Sequence, residues 1–177
     1  VVCHGIPSDK ALKKGDILNI DVTVIRDGYY GDNSRMYTAG DVSTLAQRLI
    51  DVTYECMMLG IDVVKPGAEF REIGRVIQKH AHAKRFSVVE DVCGLVVVVE
   101  FHEAPVGWHY DSPKVVDIMR EGMIFTIEPM LNVGKHTCKV LADNWTVVTR
   151  DRSLSAQWEH QILVTSTGHE ILTLPKQ

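Results

Sequence analysis

The sequence predicts an α+β domain with a mostly antiparallel sheet and helices packed on one face. Three observations carry this. The chain opens with β-branched segments that alternate apolar and polar, two helical periodicities then follow one another, and from about Phe86 onward the text returns to strands. No fixed-period repeat and no low-complexity segment interrupts that order.

Residues 16 to 26, "DILNIDVTVIR", alternate as a half-buried strand should, and the Asp27-Gly28 pair turns the chain into "YYGDNSRMYTAG", which predicts a hairpin. Thr44 with Gln47 reads as a capping box, after which Leu45, Leu49, Val52, Cys56 and Met57 recur at helical spacing until Gly60. A second helix is expected after Pro66-Gly67, burying Phe70, Ile73, Val76, Ile77 and His80. The segments "FSVVEDV", "LVVVVEFHE", "MIFTIEPMLNV", "WTVVTRD" and "SAQWEHQILVTSTGHEILTL" read as strands, with long connections only around 104–120 and 134–144.

At 177 residues and 45% apolar composition, the chain suits one domain, residues 1–177, able to bury a real core. A net charge of -4 and the lack of any basic block argue against nucleic acid as the primary ligand. No apolar run approaches the roughly 18 residues of a membrane span, and "VVCHGIP" lacks the features of a signal peptide, so a cytosolic protein is expected. Cys3, Cys56, Cys93 and Cys138 are scattered without a C-x-x-C, which suits buried free thiols. The chain starts with Val in mid-run, as a fragment or a processed chain would.

Four carboxylates stand where strands want apolar residues: Asp21 in "LNIDVTV", Asp32 across the expected turn, Glu128 in "MIFTIEPM" and Glu159 in "SAQWEHQI". Buried together they would repel and be costly to desolvate without compensation. No cluster of Lys or Arg accompanies them, although Arg35 and Arg152 are near in sequence. A pair of divalent cations cancels their charge, and oxygen-rich ligation favours manganese, iron or cobalt. The competing reading is four unrelated strand-edge carboxylates facing water.

The stretches "VVCHGIP", "GDILNIDVTVIRDGYYGDNSRM", "FHEAP", "GMIFTIEPM" and "WTVVTRDRSLSAQWEH", in this order, strongly resemble the type I methionine aminopeptidases of the pita-bread fold, over nearly the whole chain. The resemblance implies a pseudo-symmetric α+β domain, lacking the family's N-terminal segment, whose antiparallel sheet cradles two divalent metals (cobalt, manganese or iron, with zinc an alternative). It also implies removal of an initiator methionine that precedes a small residue, from nascent chains, by a cytoplasmic monomer that meets them near the ribosome. Carried over by position, Asp32 and Glu159 bridge both ions, Asp21 binds one and Glu128 the other. Glu128 is also the candidate proton acceptor. His4 and His102 contact substrate; Cys3, Phe101 and Trp145 line the methionine pocket; Val1 and Ser155 match positions linked to a monovalent cation.

One ligand of that family pattern is missing. The family places a histidine in G-H-G-I-G, seven residues before the F-H-E histidine, and here that position is Leu95 within Gly94-Leu95-Val96. Leucine offers no donor atom, so the ion shared by Asp32, Glu128 and Glu159 is expected to bind more weakly. Three readings stay open: an impaired aminopeptidase, a catalytically silent interaction domain, or a misread sequence over 94–100. A proline-directed aminopeptidase or prolidase shares the fold and ligand set. No other histidine is expected to substitute: His109 lies beyond Pro105, His160 faces away from Glu159, and His80 and His82 point apart on a helix.

Overall fold

The computed structural model describes residues 1–91, 94–97 and 101–174, with the backbone alone at 94–97 and 101–107. The expected hairpin is formed by β1 (Ile17–Arg26) and β2 (Tyr29–Thr38), paired antiparallel without a break. Its two-residue turn has both Asp27 (φ 52°) and Gly28 (φ 86°) in the left-handed region, the type of turn that matches the twist of the flanking strands. Period-2 alternation then divides the side chains. Asp32, Ser34 and Met36 lie buried on one face, while Ile20, Val22, Val24 and Tyr37 are exposed.

Helix α1 (Thr44–Asp62) starts one residue earlier than the expected capping box would have it: the cap is Ser43, whose Oγ accepts the Ala46 N–H at 3.1 Å, and Gln47 instead reaches Asp51. The helix also runs through Gly60, because that glycine is buried against Ile73 and Ile77 of the second helix and serves close contact, not termination. Helix α2 (Arg71–Ala83) follows Phe70, whose ring meets Phe125 with centroids 4.8 Å apart. Of the residues expected to be buried there, Phe70, Ile73 and Ile77 are; Val76 is half-buried, and His80 faces Glu55 at 2.7 Å. Both helices pack on the sheet through one core that joins Leu49, Met57, Ile61 and Ile77 to Phe125, Ile127, Leu131 and Ile162.

The remaining strands are β3 (Ser87–Val88), β4 (Gly94–Val97), β5 (Phe101–Gly107), β6 (Ile124–Ile127), β7 (Met130–Asn132), β8 (Cys138–Val140), β9 (Val147–Thr149), β10 (Ser155–Gln157), β11 (His160–Val164) and β12 (His169–Ile171). All observed pairings are antiparallel. Three expectations need correction. The run 95–103 is not one strand, since β4 and β5 pair with each other, Val97 opposite Phe101. The segments 123–133 and 155–174 are each divided, the first at Glu128-Pro129, where proline has no N–H for a ladder. The supposed connections at 104–120 and 134–144 contain the end of β5 and all of β8.

Two three-stranded sheets result, ordered β10-β7-β3 and β12-β11-β6. The pairs Met130–Gln157 and Ile127–His160 keep one register across the gap between them. Glu128 therefore lies across from Glu159, and Pro129 across from Trp158. The chain crosses from one sheet to the other twice, at the two glutamates. Cys3, Cys56 and Cys138 are free and buried; Cys93 lies outside the described residues.

Candidate metal centre

Three of the four predicted carboxylates meet. Asp21, Asp32 and Glu159 each offer an oxygen within 4.8 Å of the other two. The hairpin supplies the aspartates from one face, where Asp21 opposes Ser34 and Asp32 opposes Thr23. The Thr23 hydroxyl donates to Asp32 Oδ1 at 2.8 Å. Glu159 is held against the hairpin by its own backbone, its N–H donating to Ser34 O at 3.2 Å. Side chains brace the same junction: Asn19 Nδ2 donates to Gln157 O at 2.8 Å and Gln161 Nε2 to Tyr30 O at 3.2 Å.

Glu128 stands across from Glu159 on the opposite strand. Its carboxylate accepts from Thr126 Oγ1 at 2.8 Å and from Gln157 Nε2 at 3.0 Å. The Glu128 N–H donates to His109 Nε2 at 3.0 Å. Glu128 and Glu159 are 6% and 2% exposed, so these are interior charges and not strand-edge carboxylates facing water. Burial pushes Glu128 up to about 8, reinforced by Asp21 and Asp32, even though Thr126 works the other way. Glu159 is raised well above the ordinary carboxylate range by burial first and then by Glu128, Asp32 and Asp21. Asp32 is raised by burial and held down by Thr23.

Among the described residues no Lys or Arg pairs with these four. Arg35 instead lies over the Trp158 ring, 6.0 Å from its centroid. The residues fit hard divalent cations: converging oxygen donors, three of them buried, mutually repulsive, and with no Lys or Arg among the described residues to neutralise them. Like charges placed directly across an antiparallel pair destabilise it, and a cation between them removes the penalty.

The other predicted residues fall into two groups. The first surrounds the carboxylates. The N-terminal segment pairs with β9, Val2 N–H to Val147 O at 2.8 Å and Val147 N–H to His4 O at 3.1 Å, which brings His4 Nδ1 to 3.3 Å from Asp21 Oδ2. That bond to Asp21 raises His4, against the effect of burial. Trp145 stacks on His4 with ring centroids 6.2 Å apart and is 56% exposed. Cys3 is buried with Val89, Met130 and Cys138, and its thiol is pushed far up by that burial and by Glu128, Asp21 and Glu159. The second group is not brought to the carboxylates by any contact described. Val1 is exposed, and Ser155 Oγ in β10 donates to Leu131 O at 3.3 Å. The side chains of Leu95, Phe101 and His102 lie outside the described residues.

Comparison with known proteins follows the same lines. Residues 1–166 match Peptidase_M24, metallopeptidase family M24. The chain belongs to metallopeptidase family M24. Within that family it is 53% identical to the methionine aminopeptidase of Escherichia coli strain K12, over 99% of this chain and 67% of the relative. It is 54% identical to that of Rickettsia prowazekii strain Madrid E, over 100% of this chain and 69% of the relative. It thus spans about two thirds of the length of the curated relatives it matches. The crystal structure of the Rickettsia prowazekii methionine aminopeptidase superposes with a TM-score of 0.94 at 53% identity, covering 98% of this chain and 71% of that one. The Thermotoga maritima methionine aminopeptidase gives 0.93 at 37% identity, covering 97% and 70%. The fold is the pita-bread fold. A prolidase from Pyrococcus horikoshii OT3, at a TM-score of 0.75 and 22% identity, shares the fold alone.

Membership of a metallopeptidase family and the carboxylate cluster together make divalent ions the cofactor class. Sequence reasoning missed Thr23, Ser34, Thr126, Gln157 and His109 as supports. A signal for four of them was present: each lies two residues from one of the carboxylates, on the same face of its strand. His109 had no such signal.

Proposed function

We propose that this chain is a metal-dependent aminopeptidase that removes the N-terminal methionine from nascent proteins. The observation that supports it most is the meeting of Asp21, Asp32 and Glu159, with Glu128 across from Glu159, in a chain that shares more than half its residues with the methionine aminopeptidase of Escherichia coli. Identity favours the methionine-removing class, since the prolidase from Pyrococcus horikoshii OT3 resembles the chain at 22% and the Escherichia coli methionine aminopeptidase at 53%.

Asp21, Asp32, Glu128 and Glu159 would hold the ions; manganese, iron or cobalt suit the oxygen donors best, with zinc an alternative. When bound, such ions supply Lewis-acid polarisation of the scissile carbonyl and a water whose pKa is lowered toward neutrality. Glu128, steadied by Thr126 and Gln157, takes up the proton of the attacking water. His4, half-exposed beside Asp21, donates a hydrogen bond on the leaving-amine side, and His102 is assigned the carbonyl oxygen as charge develops there. Cys3, Phe101 and Trp145 offer the sulfur and aromatic surfaces that a methionine side chain prefers. Val1 and Ser155 keep their assignment to a monovalent cation.

The chain acts as a single catalytic domain over residues 1–177. We assign it to the cytoplasm as a monomer because its substrates, N-termini with Met before a small residue, emerge there at the ribosome. No helix among the described residues is long and apolar enough to cross a membrane. The deciding experiment measures methionine release from a Met-Ala-Ser peptide with added Mn²⁺ or Co²⁺. Release that depends on metal is expected. Folded protein that releases nothing at any metal concentration overturns the proposal in favour of a catalytically silent interaction domain, the reading that Leu95 keeps alive.

A further inference from the structure

Across the gap between the two sheets, each glutamate sends its backbone N–H outward, away from the other. The Glu159 N–H finds a strand, bonding Ser34 O of β2. The Glu128 N–H finds a side chain: His109 Nε2, at 3.0 Å. We propose that His109 is a positioning residue for the Glu128 carboxylate, taking the place of a strand carbonyl on the outer side of Glu128. This rests on the reading of Glu128 as a metal ligand.

The segment that carries His109 is built to stay where it is. A Cβ at Gly74 of α2 would lie 2.2 Å from Tyr110 O, so this glycine lets the backbone of 108–110 press directly against the helix. Two residues of α2 then grip Asp111, Gln78 Oε1 accepting its N–H at 2.8 Å and Arg71 Nε donating to its Oδ1 at 2.5 Å. Trp108 and Tyr110 meet edge to face with centroids 5.4 Å apart. Helix α2 thereby fixes the height of the imidazole, and the imidazole fixes the backbone of Glu128.

The chemistry of the ring agrees. With Nε2 as acceptor, the neutral ring carries its proton on Nδ1, and Nδ1 is buried without a partner among the described residues. An unmet buried donor costs free energy that an apolar side chain of similar size would avoid. The ring is thus a poor choice for packing alone. A role for Nε2 accounts for it, because without that acceptor the Glu128 N–H would be a second orphan beside Pro129, where the ladder is already broken.

The test compares His109→Leu with His109→Gln in the full chain, titrating Mn²⁺ by calorimetry and measuring kcat and KM on the tripeptide. The glutamine oxygen reaches roughly the position of Nε2 and can accept the same N–H; leucine cannot. The expected result is a loss of Mn²⁺ affinity of about 10- to 100-fold in the leucine variant, a lowered kcat with KM little changed, and recovery to within a few-fold by glutamine. Equal behaviour of the two variants, whether both intact or both impaired, overturns the proposal. If neither variant folds, the wild-type ring decides: ¹⁵N shifts showing a protonated Nδ1 and a hydrogen-bonded, unprotonated Nε2 support it, and a protonated Nε2 overturns it. Glu128→Gln separates the two layers. Mn²⁺ binding as tight as in the wild type there defeats the ligand reading of Glu128 itself. A crippled Glu128→Gln beside an intact His109→Leu defeats only the positioning.

Discussion

The two halves of the carboxylate cluster are built in different ways. Asp21 and Asp32 come from one uninterrupted hairpin, where regular register puts them on a shared face and a single hydroxyl, Thr23, steadies Asp32. Glu128 and Glu159 come from the gap between two sheets, where the ladder gives no support and every hydrogen bond has to be found elsewhere. They find Thr126, Gln157, His109 and the Ser34 carbonyl. The lesson is that a regular ladder places a charge mainly by its register, whereas an interrupted one places it by added donors and acceptors.

The sharpest way to break this arrangement is at the residue that joins its halves. Glu159→Gln keeps the shape and removes the charge that links the hairpin to Glu128. Mn²⁺ binding should fall by more than about 100-fold, exceeding the effect usual for groups that only support a ligand. Calorimetric titration checks this, and near-normal affinity would mean that the two halves do not share their ions. Leu95→His comes next, adding a nitrogen donor at the position where the family pattern carries its histidine. Affinity there should rise by roughly 10- to 100-fold. An unchanged value, with Asp32→Ala still abolishing binding, would show that position 95 does not reach the site.

How much of this was legible follows the same division. The hairpin, its Asp27-Gly28 turn and the two aspartates are written in period-2 alternation, a local signal, and the structure keeps them. Both glutamates stood out as charges in apolar strands. Their supports were less legible, since Thr126 and Gln157 look like ordinary alternating polar residues until a partner strand is known. His109 could not be found at all, because its bond to Glu128 spans 19 residues and depends on helix α2 holding a loop. The run 95–103 misled for the opposite reason: continuous hydrophobicity reads as one strand, and nothing local marks the reversal between β4 and β5.

In the metal-free protein the gap should also be visible as a pH effect. Glu128 sits near 8 when folded against an ordinary value of 4.5, so the folded state holds a proton that the unfolded state has released between those values. Its stabilising contribution is complete below 4.5 and is lost as pH rises through about 8. Glu159 shifts in the same direction. Metal-free protein should therefore lose stability from pH 5 to 8, on the order of a few kcal/mol, read by denaturant melts. Saturating Mn²⁺ should reverse the trend, since the ion binds only the deprotonated groups. Glu128→Gln should flatten the slope. A metal-free melt that is flat over this range would place the glutamates in a far more polar setting than their burial indicates.

The smallest expected effect compares the two hydroxyls that serve the two halves. Thr126 and Thr23 each donate to a carboxylate at 2.8 Å, but Thr126 is buried and Thr23 is exposed. Valine keeps the shape of threonine and removes the donor. At the buried site water cannot replace the lost bond, so Thr126→Val should cost roughly 1.5 to 3 kcal/mol in metal binding, a factor of about 10 to 100. Asp32 is itself buried, but its donor Thr23 stands at the surface, so water can fill the place of the lost hydroxyl, and Thr23→Val should cost only a few-fold. Equal losses from the two substitutions would mean that the hairpin places Asp32 no more firmly than the gap places Glu128.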